Sequence, residues 1–218
     1  MNSRLALSHS LLIVSTIAAT MVVGCDSGKP RAPASNPHGD ASVGSEPDIS
    51  AVAFVDQVQS NREDDGTVNG LEFVDTNGDP VQIRQYRGKQ NLVLVFTRGF
   101  SGQLCPYCTT QTSRLIANYD KFRARDAEVL LVYPGSKDQL PQFRAAGLAA
   151  SGQDQFPFPV LLDEDLAAVN QLGIAAQLAS PSTFIIDKEG KIRLSYVGSN
   201  PVDRPSIQAM LDQLDRLQ

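Results

Sequence analysis

The sequence predicts an α/β domain: a mixed central β-sheet flanked by helices. Short apolar runs of strand length recur at Leu92–Phe96, Glu128–Tyr133, Phe158–Leu162 and Thr183–Ile186. Between them lie stretches with helical apolar spacing, and strands alternating with helices call for a sheet covered on its faces. The last two strands, Thr183–Ile186 and Ile192–Val197, are separated only by Asp187-Lys188-Glu189-Gly190-Lys191. That link is too short for a crossover, so an antiparallel edge follows.

Taken from the N-terminus, Met1–Gly24 reads as an export signal. Arg4 gives a positive start, and Leu5–Val23 is apolar and small with no acidic residue. It ends in Val22-Val23-Gly24-Cys25. This resembles the bacterial lipobox, which implies cleavage before Cys25 and lipidation of that cysteine. Acyl chains would hold the protein at a membrane surface without making it span. The implied location is the bacterial cell envelope, outside the cytoplasm. Asp26–Asp48, rich in Pro, Ser, Gly and Ala, has the composition of a flexible tether. The organisation is thus a signal over 1–24, a tether over 25–48 and one domain over 49–218.

Within the domain, Ile49–Ser60 is expected to form a short strand or helix on the edge, and Asn61–Gly70 a surface loop. Leu71–Val74 and Val81–Arg84 flank Asp75-Thr76-Asn77-Gly78-Asp79-Pro80, the pattern of a β-hairpin around an Asn-Gly turn. Helices are expected over Pro106–Ala124, Lys137–Ala150, Leu166–Leu172 and Ile207–Leu217. In the first, Leu115, Ile116, Tyr119 and Phe122 form an apolar stripe. Pro205 suits the first turn of the last. The order resembles the thioredoxin fold with an N-terminal hairpin extension.

The chain has three cysteines, two histidines and a formal net charge of -5. The charge leaves no basic footprint for nucleic acid. Both histidines, His9 and His38, precede the domain, which excludes nucleophile systems built on an imidazole base. Two thiolates are only half of a structural zinc site, so no metal is expected, and no cofactor is called for.

Chemistry concentrates at Cys105-Pro106-Tyr107-Cys108. Cys105 follows the buried strand Leu92–Phe96 at the point where a helix begins, and Pro106 fits the first helical position. First-turn N–H groups and the helix dipole there favour thiolate over thiol. Cys108, one helical turn on, brings its sulfur beside that of Cys105. Cys105 is therefore read as the nucleophile and Cys108 as the more buried, resolving thiol. The intervening Pro-Tyr pair, Pro106 and Tyr107, is the one found in glutaredoxins, and it lies where a substrate would dock.

Several segments resemble the alkyl hydroperoxide reductase/thiol-specific antioxidant family, the peroxiredoxins. They are Tyr86-Arg87-Gly88-Lys89 before Leu92–Phe96, Arg98-Gly99, Cys108-Thr109-Thr110-Gln111, and Ser182-Thr183-Phe184-Ile185-Ile186-Asp187 with Gly190-Lys191-Ile192. Two departures stand out. That family implies Thr three residues before the peroxidatic cysteine, where this chain has Cys105 (before Cys108) or Gly102 (before Cys105). It also implies arginine where Pro181 stands. A proline here resembles the cis-proline of membrane-anchored thiol–disulfide oxidoreductases similar to TlpA and ResA, which faces the CxxC. The residue before it, Ser180, would then offer backbone groups to a peptide. That group has Trp before its first cysteine, and Leu104 stands here. The buried acid of thioredoxin falls near Val95. Arg98 is a further candidate for thiolate support.

The expected function is thiol–disulfide exchange with exported proteins in the cell envelope, served by a membrane or periplasmic thiol reductant or oxidant. The alternatives are a peroxiredoxin-like peroxidase reducing hydroperoxides, and a non-enzymatic binding or metal module.

Overall fold

The structure, a computed structural model, describes residues 52–63 and 66–218. The export signal, Cys25 and the tether lie outside the described residues.

Seven strands form one sheet in the order β2-β1-β5-β4-β3-β6-β7. They are β1 (Glu72–Asp75), β2 (Pro80–Gln82), β3 (Asn91–Phe96), β4 (Ala127–Pro134), β5 (Val160–Asp163), β6 (Ser182–Ile186) and β7 (Ile192–Val197). β3, β4 and β5 run parallel, while β6 and β7 pair antiparallel at one side. The β1–β2 hairpin adds to the other side, with β1 antiparallel to β5. The predicted mixed sheet is therefore present, and the hairpin extends it rather than standing apart. Asp75 Oδ1 holds the hairpin turn by accepting from the N–H groups of Asn77 (2.7 Å) and Asp79 (3.0 Å).

Every residue of β3 is buried. Strand alternation sends Val93 and Val95 to one face, where they pack with Leu115, Phe122, Phe143 and Met210. Leu92, Leu94 and Phe96 point to the other, against Phe73, Val169 and Phe184. On the first face lie α1 (Pro106–Ala117), α2 (Tyr119–Arg123), α3 (Leu140–Ser151) and α5 (Ile207–Asp215). On the second lies α4 (Ala167–Gln171). A continuous apolar run thus means a strand buried on both faces. The buried Asp163 closes β5 and caps α4, accepting at 3.0 Å from the N–H groups of both Ala168 and Val169.

Four local expectations need correction. The helix expected over Pro106–Ala124 is two, because Asn118 (φ -117°, ψ 13°) leaves helical geometry. Its own amide donates to the Arg114 carbonyl at 2.8 Å, competing with the backbone ladder. Residues 52–60 hold neither a strand nor a helix; they run irregularly, make one bridge from Val55 to Pro205, and bury Phe54 and Val58. The surface loop expected at Asn61–Gly70 includes a 3-10 turn over Thr67–Gly70 that buries Val68. Pro205 precedes α5 instead of entering it; Ser206 is the N-cap, its Oγ accepting from Ala209 N–H at 3.1 Å.

Phe96 lies edge-on to Phe73 and Phe184, with ring centroids 6.1 and 6.0 Å away. Truncation to alanine removes both contacts and leaves a void between sheet and helix layer. Phe96→Ala is expected to cost about 3–5 kcal/mol, read as a lowered midpoint in urea unfolding.

Candidate active site

The parallel strands end on the side where β3 leaves the sheet. Thr97 is still tied to β4, its N–H donating to the Val132 carbonyl at 3.0 Å. Gly99 then turns the chain at φ +76°, and a Cβ there would come within 2.2 Å of the Pro134 carbonyl oxygen. Only glycine lets the segment lie this close to the end of β4. The chain returns at Cys105 to start α1.

Cys105 is the N-cap of that helix, with Pro106 at its first position. The Cys105 sulfur accepts from the Cys108 backbone N–H at 3.4 Å. Cys105 is half-buried and Cys108 is 1% exposed. The Cys108 sulfur accepts the Arg98 backbone N–H at 3.3 Å. Both thiols are free, as a dithiol pair.

The surroundings of the two sulfurs push their acidities apart and favour the thiolate at Cys105. The Cys108 thiol donating to it is the main cause; the Cys108 N–H and the guanidinium groups of Arg204 and Arg98 add to it, against burial. Together they bring Cys105 down to about 5. Cys108 moves the other way, well above the ordinary thiol range, chiefly because it is buried and then because it is the donor to Cys105. Arg204 stands nearer to Cys108 than to Cys105, yet burial outweighs that attraction.

Arg204 is the residue that sequence reasoning missed. It is 1% exposed. Its guanidinium donates to the Cys108 sulfur at 3.3 Å, to Gln111 Oε1 at 2.5 Å and to the Pro201 carbonyl at 2.7 Å, and lies 3.9 Å from the Cys105 sulfur. Gln111, buried on α1, explains part of that helix's unusual polar interior. Position 181 holds proline where the family resemblance implies arginine. A guanidinium reaches the sulfurs all the same, from the loop between β7 and α5.

That loop is tightly built. Asp203 accepts from the Tyr196 hydroxyl on one oxygen, and from the Ser199 N–H and hydroxyl, each at 2.8 Å, on the other. Gly198 lies against it: a Cβ there would come within 2.1 Å of the Asp203 carbonyl oxygen and 3.0 Å of that of Pro181.

A cleft of about 310 Å³ opens beside Cys105, walled by Arg98, Pro106, Tyr107, Leu178 and Pro201 among others. Pro106, Tyr107 and Arg98 therefore lie beside Cys105 at this cleft. Ser180 and Pro181 do not line that cleft. The Ser180 N–H donates to the Ile174 carbonyl at 2.7 Å, and its carbonyl accepts from Ser182 Oγ at 3.0 Å. Its donor is thus already engaged, and the strand-like peptide dock expected there has only a carbonyl left to offer. Pro181 uses its own carbonyl on the Gly198 N–H at 2.8 Å.

The AhpC/TSA family model matches residues 65–195. The chain belongs to the AhpC/TSA family. It is 28% identical over 131 residues to peroxiredoxin Bcp of Bacillus subtilis (strain 168), covering 56% of this chain and 76% of that one. It is 25% identical over 126 residues to the chloroplastic peroxiredoxin Q of Sedum lineare, covering 56% of this chain and 62% of the relative. Among solved structures, peroxiredoxin 6 of Arenicola marina superposes with a TM-score of 0.59 at 21% identity, over 68% of this chain and 70% of the other. Peroxidoxin BcpB of Mycobacterium tuberculosis does so with a TM-score of 0.55 at 18% identity, over 68% and 93%. At such identity the structural likeness speaks for the fold. The family makes the chain a thiol-based oxidoreductase.

Three outcomes follow from this geometry. Alkylation of reduced protein by iodoacetamide is expected to fall on Cys105, at a rate that is half-maximal near pH 5 and levels off well above it, because the thiol is half ionised at about 5. By linkage, this group stabilises the reduced fold fully above the unfolded thiol's range and progressively less as pH falls through about 5. Gly198→Ala forces the loop off Pro181 and Asp203, so it is expected to raise that midpoint by withdrawing Arg204.

Proposed function

We propose that this chain is a thiol-dependent peroxidase in which Cys105 attacks and Cys108 resolves. One observation carries the reading: the half-buried Cys105 sulfur sits at a small cleft, accepting the N–H of the buried Cys108 and held well below the ordinary thiol range, in a chain of the AhpC/TSA family. The position where the family has threonine before its peroxidatic cysteine is Cys105 when counted from Cys108. Burial argues against Cys108 as the first attacker, since its sulfur is covered and its proton is held.

In the proposed cycle, the Cys105 thiolate attacks the terminal oxygen of a hydroperoxide. The O–O bond breaks, and its electron pair leaves on the alkoxide, which takes a proton and departs as the alcohol. Cys105 is left as sulfenic acid. Cys108 gives up its proton and attacks that sulfur; hydroxide leaves, is protonated, and departs as water. The product is a Cys105–Cys108 disulfide. Two electrons from an external dithiol restore the pair.

A second reading is thiol–disulfide exchange with exported proteins. It is favoured by the CxxC itself, whose leading thiolate at a helix start is built to attack a disulfide as well as a peroxide. Under either reading we place the domain at the bacterial cell envelope, tethered through a lipidated Cys25 and recycled by a membrane or periplasmic thiol partner.

The test uses purified protein with dithiothreitol as reductant. Peroxide consumption that Cys105→Ser abolishes, and that Cys108→Ser, pre-reduced and freed of dithiothreitol, limits to one equivalent with a trapped sulfenic acid, supports the peroxidase. Insulin reduction without peroxide consumption transfers the assignment to disulfide exchange.

A further inference from the structure

We propose that Arg204 is the counter-ion of the reduced site, and that oxidation strips it of that partner, which biases the Cys105–Cys108 pair toward the dithiol. The inference rests on the pair being redox-active, which both readings of function require, and not on which oxidant closes the bond.

The argument starts from a buried charge. A guanidinium does not deprotonate in a protein. Arg204 is 1% exposed, and its neighbours are the Pro201 carbonyl, the Gln111 amide oxygen and the two sulfurs. None of the first two carries charge. The carboxylate next in sequence, Asp203, is engaged by Tyr196 and Ser199. The thiolate shared by the sulfurs is thus the anion that compensates Arg204. Nor does the residue's backbone swing free. Val55 N–H donates to the Arg204 carbonyl at 2.8 Å, and Ser206 N–H to the Val55 carbonyl at 2.9 Å. The segment leading in from the N-terminus therefore pins the arginine's backbone on the site.

Oxidation consumes that anion. One Cys105 thiolate, one Cys108 thiol, one hydroperoxide and one proton give one disulfide, one alcohol and one water. The S–S bond forms, the O–O bond breaks, and the two electrons pass from sulfur to oxygen. Both sulfurs end neutral while Arg204 keeps its charge among neutral acceptors. Removing the partner of a buried charge raises the free energy of the state that lacks it. Here that state is the disulfide, and a dithiol form stabilised in this way makes a site oxidising.

The experiment equilibrates the full chain in glutathione redox buffers and counts free thiols by alkylation and mass. Arg204→Met is expected to shift the equilibrium at least about tenfold toward disulfide, about 30 mV lower in potential. Arg204→Lys, which keeps the charge, is expected to stay close to the unsubstituted protein. An Arg204→Met equilibrium that does not move overturns the proposal. If that variant does not fold, the unsubstituted protein decides: the reduced form must resist denaturant better than the disulfide form, and the reverse order overturns the proposal. A shift that persists in a protein lacking peroxide and insulin activity removes the functional readings and leaves this one standing. A pair that stays reduced in the most oxidising buffer removes both.

Discussion

A fully buried guanidinium needs a negative partner, and this constraint organises the site. Desolvating a charge is costly unless it is paired and hydrogen-bonded. Arg204 meets the hydrogen-bonding part with Gln111 and Pro201, and the pairing part with sulfur. Much of the surrounding sequence serves to hold it there. Gly198 lets the loop close, Asp203 staples it, and Val55 secures the backbone where α5 begins. Gln111 faces inward on α1 although a polar residue is poorly suited to a buried helix face, because it has an arginine to receive.

The sheet supplies the frame. β3 is buried on both faces and cannot shift without disturbing both apolar layers, so the point where it ends is fixed. Cys105 lies just beyond, at the helix start, where backbone N–H groups already favour an anion. Cys108 is placed one turn further along the same helix, under the sheet. One helix thus separates the two sulfurs by environment: one reaches the cleft, and the other sits among Val93 and Val95. Equal residue types acquire opposite acidities because burial raises both, Cys108 most, while the hydrogen bonds that Cys108 offers bring Cys105 down.

Most of the fold was legible because it is local. Apolar run length and alternation located all seven strands to within a few residues, and β7 matches its expected span. The cysteines were legible for the same reason, as their spacing is a local pattern with a mechanical meaning. What escaped notice depends on residues distant in sequence. Arg204 contacts Cys108 across 96 positions, and in the sequence it is one arginine among many in an Asp-Arg-Pro-Ser string. A faint signal existed: family resemblance called for an arginine that position 181 lacks, and a thiolate without one invites a search for another cation. Asn118 escaped for a different reason, since an asparagine within an apolar stripe reads as helix unless its side-chain bond to the preceding turn is foreseen.

The two departures from the family pattern are best understood together. Where threonine is expected there is a second thiol, and where arginine is expected there is proline. Each substitution alone would weaken a peroxide site: the first adds a competing sulfur, and the second removes the charge that holds a thiolate. In combination with Arg204 they describe another solution. On the proposed reading, Cys105 attacks because it is the less buried of the two, and Cys108, whose N–H donates to the Cys105 sulfur, resolves. The charge returns from the β7–α5 loop, on the side where both sulfurs can be reached. On that reading attack and resolution fall within one helical turn, so closing the disulfide would require no large movement of α1. On the proposed reading the same two sulfurs serve a peroxide or another disulfide, and what the cleft at Cys105 admits would decide between them.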